Sequence, residues 1–296
     1  MSLLAPRVIL VRRETDLDRI RASYTSAAAA RFVLERKGLT LEAVEDTHRR
    51  FTEALHRIRA AIPADWRQAT ILRADVERFV FGPEDVVLAI GQDGLVANVA
   101  KYLDGQVVIG IDPFPGQNAG VLVRFGVSDT GDALQEAVKG SIRVEERVMA
   151  EARLDQGERL LALNEIFVGH ASHQSARYTL SCGGQSERQS SSGLIVTTGT
   201  GATGWAASIL NATHASLDLS PVQPRLGFLV REAWPSPATG TELVRGLVEE
   251  APVVVTSEMD GGTIFADGIE SDHLAFDWGR RVEIAPSARR LRLAVP

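Results

Sequence analysis

The chain has 296 residues, which fits two compact domains or one large one, and its composition of 45% apolar and 24% charged residues can supply an ordinary packed core. With 32 basic and 38 acidic residues the net charge is −6, and the absence of a long basic run argues against nonspecific nucleic-acid binding. The single cysteine, Cys182, excludes an intramolecular disulfide and a cysteine-based metal cage. No stretch approaches the roughly 20 apolar residues that span a bilayer, and the first 15 residues lack a signal-peptide core. We therefore expect a cytoplasmic protein with no membrane or nucleic-acid partner.

The first third of the chain alternates strand and helix patterns. Residues 7–11 form an apolar run typical of a buried strand, and residues 16–37 are predicted as one helix closed by Gly38. Thr40 can cap a second helix that ends near Ile62, before a proline. Further strands are predicted at residues 68–72, 85–90 and 106–111. Their continuous apolar runs indicate strands covered on both faces and hence a largely parallel sheet.

The pattern changes after about Phe125, where short β-rich runs replace the alternation. These runs lie at residues 143–152, 159–168, 176–181, 193–198, 227–230, 253–256, 281–284 and 291–295. A helix at 132–138 precedes these runs, and another at 204–211 interrupts them. The polar segment 185–192 is predicted as a surface loop. We predict a Rossmann-like α/β domain with a mostly parallel sheet over residues 1–125, followed by a β-rich domain over residues 126–296.

The first candidate for chemistry is Gly91-Gln92-Asp93-Gly94, between the predicted strand 85–90 and a helical run at 95–103. Glycines at a strand-to-helix turn let backbone amides approach phosphate oxygens, and the helix N-terminus favours negative charge. A carboxylate beside phosphate is repulsive unless it holds Mg²⁺ or takes a proton from an attacking hydroxyl. The alternative is a tight turn in which Asp93 only caps the helix.

The second candidate is a Gly/Thr-rich turn that follows a β-rich run and precedes a helix containing Ser208. It reads Gly193-Leu-Ile-Val-Thr-Thr-Gly199-Thr200-Gly201-Ala-Thr203-Gly204-Trp205. Alternating glycines with interposed hydroxyls suit close approach to a nucleotide, because hydroxyls and amides can both bind polar edges. A plain strand-turn-helix is the alternative.

Two further pairs are weaker candidates. Asn164-Glu165, at the end of an apolar run, could accept from and donate to a ribose diol. The alternative is that Asn164 only shapes a turn and Glu165 is solvated. Asp267-Gly268 follows a glycine-rich run, and a hairpin turn is its simplest interpretation. His170 and His173 have a metal-compatible spacing but no evident third ligand, so a zinc site is not predicted. Neither a nucleophile-elbow motif nor a Walker P-loop occurs.

In order and spacing, these motifs resemble the NAD kinase family. That family has a G-G-D-G turn in an α/β domain, then an N-E pair and a strand that leads into a Gly/Thr-rich turn within a β-rich domain. The resemblance covers about residue 85 to the end. Within the family, several segments look like the branch typified by the mitochondrial NAD kinase of animals. They are Ser191-Ser192-Gly193, Thr198-Gly-Thr-Gly201, Trp205, Asp260-Gly-Gly-Thr263 and Val108-Ile-Gly-Ile-Asp112.

Departures from the family pattern are also present. Gln92 replaces the second glycine of the turn, and Ser192 stands where most members have Asp. The C-terminal helix of many members has no room after the last predicted strand. The sequence therefore leaves open how a cleft between the two predicted domains is closed.

The resemblance implies phosphorylation of the adenosine ribose 2′-hydroxyl of NAD by ATP or polyphosphate, with Mg²⁺ bridging the donor phosphates and no metal cage made by protein alone. It implies that Asp93 accepts the hydroxyl proton and that Gly91, Gln92 and Gly94 bind the donor. The residues that it assigns to NAD are Asn164, Glu165, Ser192, Thr200, Thr203, Ser208 and Asp267. A homodimer is the oligomer that it suggests.

Three alternatives remain from the sequence. A lipid kinase of similar fold would share the Gly91 to Gly94 turn, but no apolar lid is evident. A sugar or nucleoside kinase would not need Asn164-Glu165. A noncatalytic sensor would bind NAD or NADP without turnover.

Overall fold

The computed structural model describes residues 5–24, 26–116, 120–249 and 251–296. Their contacts form two units, one of residues 1–145 with Arg292–Pro296 and the other of residues 146–291. The chain passes between the units at residues 145 and 146, later than the boundary at residue 126 that the sequence suggested, and its last five residues return to the first unit. In the part of the chain that the structure describes, no helix has both the length and the apolar character to cross a membrane.

The first unit is α/β, as predicted. Its strands are β1 (Arg7–Arg12), β2 (Arg67–Leu72), β3 (Val86–Ile90), β4 (Val107–Asp112) and β5 (Phe125–Gly126). Its helices are α1 (Asp16–Ser23), α2 (Ala27–Arg36), α3 (Leu41–Ala60), α4 (Asp93–Ala100) and α5 (Thr130–Lys139), with 3₁₀ turns at Arg73–Arg78 and Val127–Asp129.

The sheet of the first unit runs β2-β1-β3-β4, and every pair in it is parallel. Arg292 and Leu293 add a parallel segment beside the start of β4, and β5 pairs with its end. All five residues of β3 are buried. This burial explains why β3 is an unbroken apolar run, because helices cover parallel sheets on both faces.

The single helix predicted over residues 16–37 is wrong, because two helices occupy this range. Tyr24 is extended after α1, and the Ser26 hydroxyl then accepts from the backbone N–H of Ala29 to cap α2. A serine at this position ends one helix and begins another because its side chain satisfies a free amide. At the far end Gly38 has φ +70, and the predicted cap of α3 by Thr40 is confirmed.

The second unit is β-rich, as predicted. Its strands are β6 (Val144–Leu154, which starts in the first unit), β7 (Arg159–Ala162), β8 (Glu165–His170), β9 (Ala176–Cys182), β10 (Gln185–Ser191), β11 (Leu194–Thr197), β12 (Leu226–Val230), β13 (Arg245–Val248), β14 (Val253–Ser257), β15 (Gly262–Ala266), β16 (Ile269–Ala275) and β17 (Arg281–Ala294, whose end lies in the first unit). A 3₁₀ turn at Gly201–Thr203 precedes α6 (Trp205–Ala212).

Two groups of strands enclose the core of the second unit. One group is β10-β9-β14-β17 with β6 and β7, and the other is the antiparallel sheet β13-β12-β11-β8-β15-β16. Along β8, Ile166 and Val168 belong to this core. Because side chains alternate along a strand, Glu165 and Phe167 lie on the opposite face of the six-stranded sheet.

Three details of the β-rich unit differ from the sequence-based expectations. The segment predicted as a surface loop at 185–192 is mostly strand β10, which pairs with β9 through a Gly183-Gly184 turn. Both glycines have positive φ, +58 and +81, as a two-residue hairpin turn requires. The run 159–168 is two strands broken at residues 163–164, whereas the last two predicted runs merge into β17.

Candidate functional site

The Gly91 to Gly94 turn joins β3 to α4, as the sequence predicts. Gly91 has φ +153, and Asp93 is the first residue of α4, after the N-cap Gln92, whose side chain makes no cap hydrogen bond. Asp93 does not cap this helix. Its Oδ1 accepts from the backbone N–H of Leu122 and Val123, both at 2.9 Å, and its Oδ2 accepts from that of Val121 at 3.0 Å.

The segment held by Asp93 lies against β4 at a position that requires glycine. A Cβ at Gly110 would clash with the carbonyl oxygen of Leu122. The carboxylate and its three amides are therefore fixed between α4 and β4. A carboxylate has about four lone-pair positions, so one acceptor position, on Oδ2, is left for another donor.

Two arginines beside this turn are functional candidates that the sequence analysis missed. Arg13 Nη2 and Arg73 Nε both donate to Oδ1 of Asn98 in α4, at 3.2 and 3.0 Å. A Cβ on Gly94 would lie 3.4 Å from Arg13 Nη2, so this guanidinium borders the turn. Burial, followed by the charges of Arg73 and Arg19, lowers the pKa of Arg13.

Among the described residues, neither Arg13 nor Arg73 forms an ion pair with a carboxylate. Two cations held on one amide oxygen without a counter-ion favour an anion between them. The sequence contained one sign of this site, since Arg13 directly follows β1 and the carboxyl ends of parallel strands are where α/β sheets bind ligands.

A second cluster, in the β-rich unit, brings Asn164 against the Gly/Thr-rich turn. The backbone N–H of Thr198 donates to the Asn164 carbonyl at 2.9 Å, and the Thr198 hydroxyl donates to the carbonyl of Leu163 at 2.6 Å. The Thr198 Oγ1 in turn accepts from the amides of Thr200 and Gly201, both at 3.1 Å. A Cβ at Gly201 would clash with the Asn164 carbonyl, which is why this turn needs glycine there.

Asp267 joins the same cluster from the β15–β16 turn. It has φ +52 and Gly268 has φ +68, so the hairpin interpretation of this pair is correct. The Asp267 carboxylate accepts from the backbone N–H of Leu163 at 3.0 Å and of Asn164 at 2.7 Å, while its own N–H donates to the Glu165 carbonyl. Asp267 therefore fixes the backbone that carries Asn164 and Glu165.

Glu165 is 7% exposed. Burial, and after it the negative charge of Asp267, raises the pKa of its carboxyl from 4.5 to about 8. A buried carboxyl near a like charge is thus kept protonated at neutral pH. Such perturbed groups are frequent at functional sites.

The remaining sequence candidates differ in their exposure. Thr200 is buried and its hydroxyl accepts from Arg147 at 3.3 Å, whereas Thr203 is exposed and its hydroxyl donates to the Thr200 carbonyl. Ser208 is exposed on α6, three residues after Trp205 and hence on the same helix face. Ser192 is exposed beside the cavity described next.

A cavity of about 800 Å³ lies on the outer face of the six-stranded sheet. Phe167 stacks on Phe265 at 4.7 Å and on Trp205 at 6.0 Å, with Arg231 over the Trp205 ring at 5.1 Å. Side chains at Gly169 or Gly193 would occupy the space of the Phe167 ring. The remaining lining residues include Ser192, Thr263, Glu270 and the histidines His170, His173 and His273. A flat aromatic floor with a cation suits a planar, anionic ligand.

The described residues contain no cluster of three or more His, Cys, Asp or Glu side chains that could hold a metal ion. His170 Nδ1 instead contacts the amide and hydroxyl of Ser172, both at 2.9 Å. A divalent ion at the Asp93 turn would therefore need ligands from a bound substrate in addition to the protein.

Comparisons with known proteins identify curated relatives and solved structures that resemble the chain. No protein-family model matches the chain. Over 152 aligned residues the chain is 32% identical to an NAD kinase of Heliobacterium modesticaldum. The aligned region covers 47% of this chain and 53% of that relative. The chain spans about half the length of the curated relatives it matches, 53% and 51% for the first two.

Two solved structures share the fold. A yeast NADH kinase complexed with NADH has a TM-score of 0.65 at 11% identity, over 99% of this chain and 84% of that one. An NAD kinase from Archaeoglobus fulgidus in complex with ATP has a TM-score of 0.60 at 18% identity, over 98% and 93% of the two chains. The α/β unit with its parallel sheet and the β-rich unit thus form an NAD kinase-like architecture, and the curated relatives that match about half of the chain are named NAD kinases.

Proposed function

We propose that this chain is an ATP-dependent NAD kinase that phosphorylates the adenosine ribose 2′-hydroxyl of NAD. The observation that carries the proposal is the Asp93 carboxylate, which three backbone amides hold rigidly at a glycine turn with one acceptor position left on Oδ2. The curated relatives are NAD kinases, and the two similar structures are an NADH kinase with NADH and an NAD kinase with ATP, which supports the same reaction.

The donor phosphates bind at the first unit. The amides of Gln92 and Gly94 lie at the N-terminus of α4, where the helix dipole favours anions. The Gly91 N–H already donates to the Ile111 carbonyl at 3.0 Å, so Gly91 contributes the shape of the turn and not a donor. Arg13 and Arg73 add two positive charges beside the same turn. Phosphoryl transfer depends mainly on alignment and charge neutralisation, so this arrangement supplies what a donor site needs.

Asp93 is the proton acceptor in this mechanism. The ribose 2′-oxygen attacks the γ-phosphorus of ATP, the bond from that phosphorus to the β,γ-bridging oxygen breaks, and the hydroxyl proton passes to Asp93 Oδ2. The products are NADP and ADP. The three amides on the carboxylate fix the direction from which the hydroxyl must approach.

NAD is held by the β-rich unit. Asn164 and Glu165 bind sugar hydroxyls or the adenine edge, and the Thr200 to Thr203 turn with Ser208 lines the adenosine site. Asp267 contributes by fixing the Asn164-Glu165 backbone, which is the role that its hydrogen bonds support. The aromatic cavity beside Ser192 accepts a planar ring of the dinucleotide.

Magnesium fits the donor side of this proposal. Phosphate oxygens are among its preferred ligands, so the ion would be held mainly by the ATP phosphates, and the open position of Asp93 Oδ2 stays with the ribose hydroxyl. When bound, the ion would neutralise charge on the donor phosphates. A homodimer, a cytoplasmic location and membership of the mitochondrial-type branch are further parts of the proposal that rest on the sequence resemblance.

Incubation with ATP, Mg²⁺ and NAD, coupled to an NADP-specific dehydrogenase, tests the activity directly. We expect time-dependent NADP formation that requires all three components. Tight NAD binding without NADP formation would instead support a noncatalytic sensor. Replacing ATP by polyphosphate in the same assay identifies the donor.

A further inference from the structure

Glu165 is a buried carboxyl that lacks a partner of its own. The residue is 7% exposed, and within the described residues its carboxyl oxygens take part in no hydrogen bond. The backbone just before it is held by hydrogen bonds, from the Asn164 N–H to Asp267 and from the Thr198 hydroxyl to the Leu163 carbonyl. Buried polar groups are normally hydrogen-bonded, because leaving one unsatisfied is costly. A carboxyl in a candidate binding site that is largely buried and has no hydrogen bond to the described residues can bind a ligand.

Burial, more than neighbouring charge, opposes ionisation of Glu165. The Asp267 carboxylate on the β15–β16 turn adds to this effect, so the pKa of Glu165 rises to about 8. From β11 the residue opposite is the uncharged Thr197. Arg147 of β6 donates to Thr200 of the Gly/Thr-rich turn, and its charge is not among the causes of the raised Glu165 pKa.

We propose that Glu165 carries a proton at neutral pH and donates its O–H to an acceptor atom of the bound dinucleotide, with Asp267 as the positioning residue that keeps this proton in place. The proposal rests on NAD being the ligand of this site. It reverses the usual role of a carboxylate, which accepts hydrogen bonds from sugar hydroxyls.

A neutral acid suits this ligand for a physical reason. The acceptor can be a ribose oxygen or a ring nitrogen of adenine, and both are reached by a single O–H donor. The diphosphate of the dinucleotide is anionic, and an ionised Glu165 beside Asp267 would repel it. Loss of the proton therefore removes a donor and adds a repulsive charge.

The test is the NAD dissociation constant of the full-length protein, measured by calorimetry between pH 6 and pH 9.5. We expect affinity to be level up to about pH 8 and then to weaken by up to about tenfold per pH unit. Glu165→Gln, which is a donor at every pH, is expected to bind NAD at pH 7 within about threefold of the unsubstituted protein and to show no such weakening. Stronger binding with rising pH, together with loss of binding in Glu165→Gln, would overturn the proposal.

A second measurement needs no ligand. Carbon-13 NMR of glutamate carboxyl groups follows the Glu165 signal, assigned by its absence in Glu165→Gln. We expect a midpoint near the pKa of about 8, and a lower midpoint in Asp267→Asn, which keeps an acceptor oxygen but loses the charge. Titration of Glu165 near its ordinary value of 4.5 would overturn the proposal.

The outcomes separate this inference from the proposed function. NAD binding with the expected pH dependence but without NADP formation overturns the kinase activity and leaves the role of Glu165 intact. NADP formation with a Glu165 that ionises near pH 4.5 does the reverse. Absence of NAD binding at every pH overturns both.

Discussion

At the scale of single residues, Asp93 and Asp267 use their carboxylates in the same way. Each accepts from consecutive backbone amides of a segment distant in sequence, residues 121–123 for Asp93 and residues 163–164 for Asp267. Such charge-assisted hydrogen bonds are stronger than neutral ones. The sequence singled out both residues for their place in a motif, but it could not reveal the segments that they hold.

Asp93→Asn tests the proton acceptor. The amide oxygen still accepts from Leu122 and Val123, but the new NH₂ group faces the Val121 N–H, so we expect a loss of about 1–3 kcal/mol in unfolding free energy. NAD affinity is expected to persist while turnover at saturating substrates falls by about 100-fold or more. Urea denaturation and the coupled NADP assay measure the two effects.

Asp129→Asn is the matched control for Asp93→Asn. The Asp129 carboxylate also accepts from a backbone amide, that of Gly126, at 2.8 Å, and Asp129 is not part of the Gly91 to Gly94 turn. We expect a similar loss of stability with turnover unchanged. If both variants lost activity in parallel, the Asp93 effect would be structural.

The arginine pair gives a prediction about the donor. Removing either charge with Arg13→Gln or Arg73→Gln is expected to raise the KM for ATP by about tenfold and to leave NAD affinity unchanged. Both guanidiniums donate to Asn98 of α4, and Arg13 borders the Gly91 to Gly94 turn. Arg49→Gln removes the same charge from α3, where Arg49 is paired with Asp46 and Glu53, and should change neither value. An unchanged KM for ATP in both pair variants would exclude this donor site.

Glu165 also makes stability depend on pH. Its folded pKa of about 8 lies above the ordinary 4.5, so between these values the unfolded chain has lost the proton that the folded protein keeps. Stability of the protein therefore falls as pH rises through this window, by up to about 1.4 kcal/mol per pH unit, and levels off above it. Glu165→Gln cannot titrate, so its advantage in urea denaturation should grow from pH 5 to pH 8. Parallel curves for the two proteins would contradict this assignment.

At the scale of elements, caps and turns decide where helices and strands end. Ser26 separates α1 from α2, and the Gly183-Gly184 turn makes a strand of a segment that composition alone suggested was a loop. Both signals were present in the sequence, as a capping serine and a two-glycine hairpin turn. The polar composition of β10 hid the second signal, because Gln189 and Ser191 are buried there despite their polarity.

Two glycines of α5 offer a matched pair of substitutions. Gly131 lies inside the helix, and an added Cβ would make an ordinary contact with Ala61 at 3.9 Å, so Gly131→Ala should stabilise the protein by about 0.5 kcal/mol. Gly140 ends the helix at φ +73, and Gly140→Ala should cost about 1 kcal/mol through backbone strain. Thermal unfolding compares the two. Equal effects of the same sign would contradict this account.

At the scale of the whole molecule, the chain enters the β-rich unit once and its end returns to the first unit. β17 belongs to the second unit up to Leu291 and to the first from Arg292 onward. Leu293 is fully buried and pairs with Val108 of β4. The last strand thus contributes to the core of each unit.

Leu291→Ala and Leu293→Ala make the same chemical change two residues apart. Each should cost about 2–5 kcal/mol, because both side chains are buried. Hydrogen exchange should show lost protection in β3 and β4 for Leu293→Ala and in the β-rich unit for Leu291→Ala. Identical exchange patterns in the two variants would contradict the division of β17 between the units.

Local patterns in the amino-acid sequence were enough to predict the parallel α/β sheet, the β-rich remainder and the order of the motifs. Apolar periodicity, caps and glycine turns are local properties, so they predict local structure. The strand-turn-helix at Gly91 to Gly94 and the hairpin at Asp267-Gly268 follow from such signals.

Contacts between residues that are distant in the sequence became known only from the three-dimensional fold. Three contacts join residues far apart in the chain. Asp93 accepts hydrogen bonds from the backbone of residues 121–123, Arg13 and Arg73 both donate to Asn98, and Glu165 is buried beside Asp267. The electrostatics of a site depend on distance and burial, and a sequence contains neither. For this reason the sequence could identify Glu165 as a candidate ligand-binding carboxylate, whereas only the fold shows that burial beside Asp267 raises its pKa to about 8.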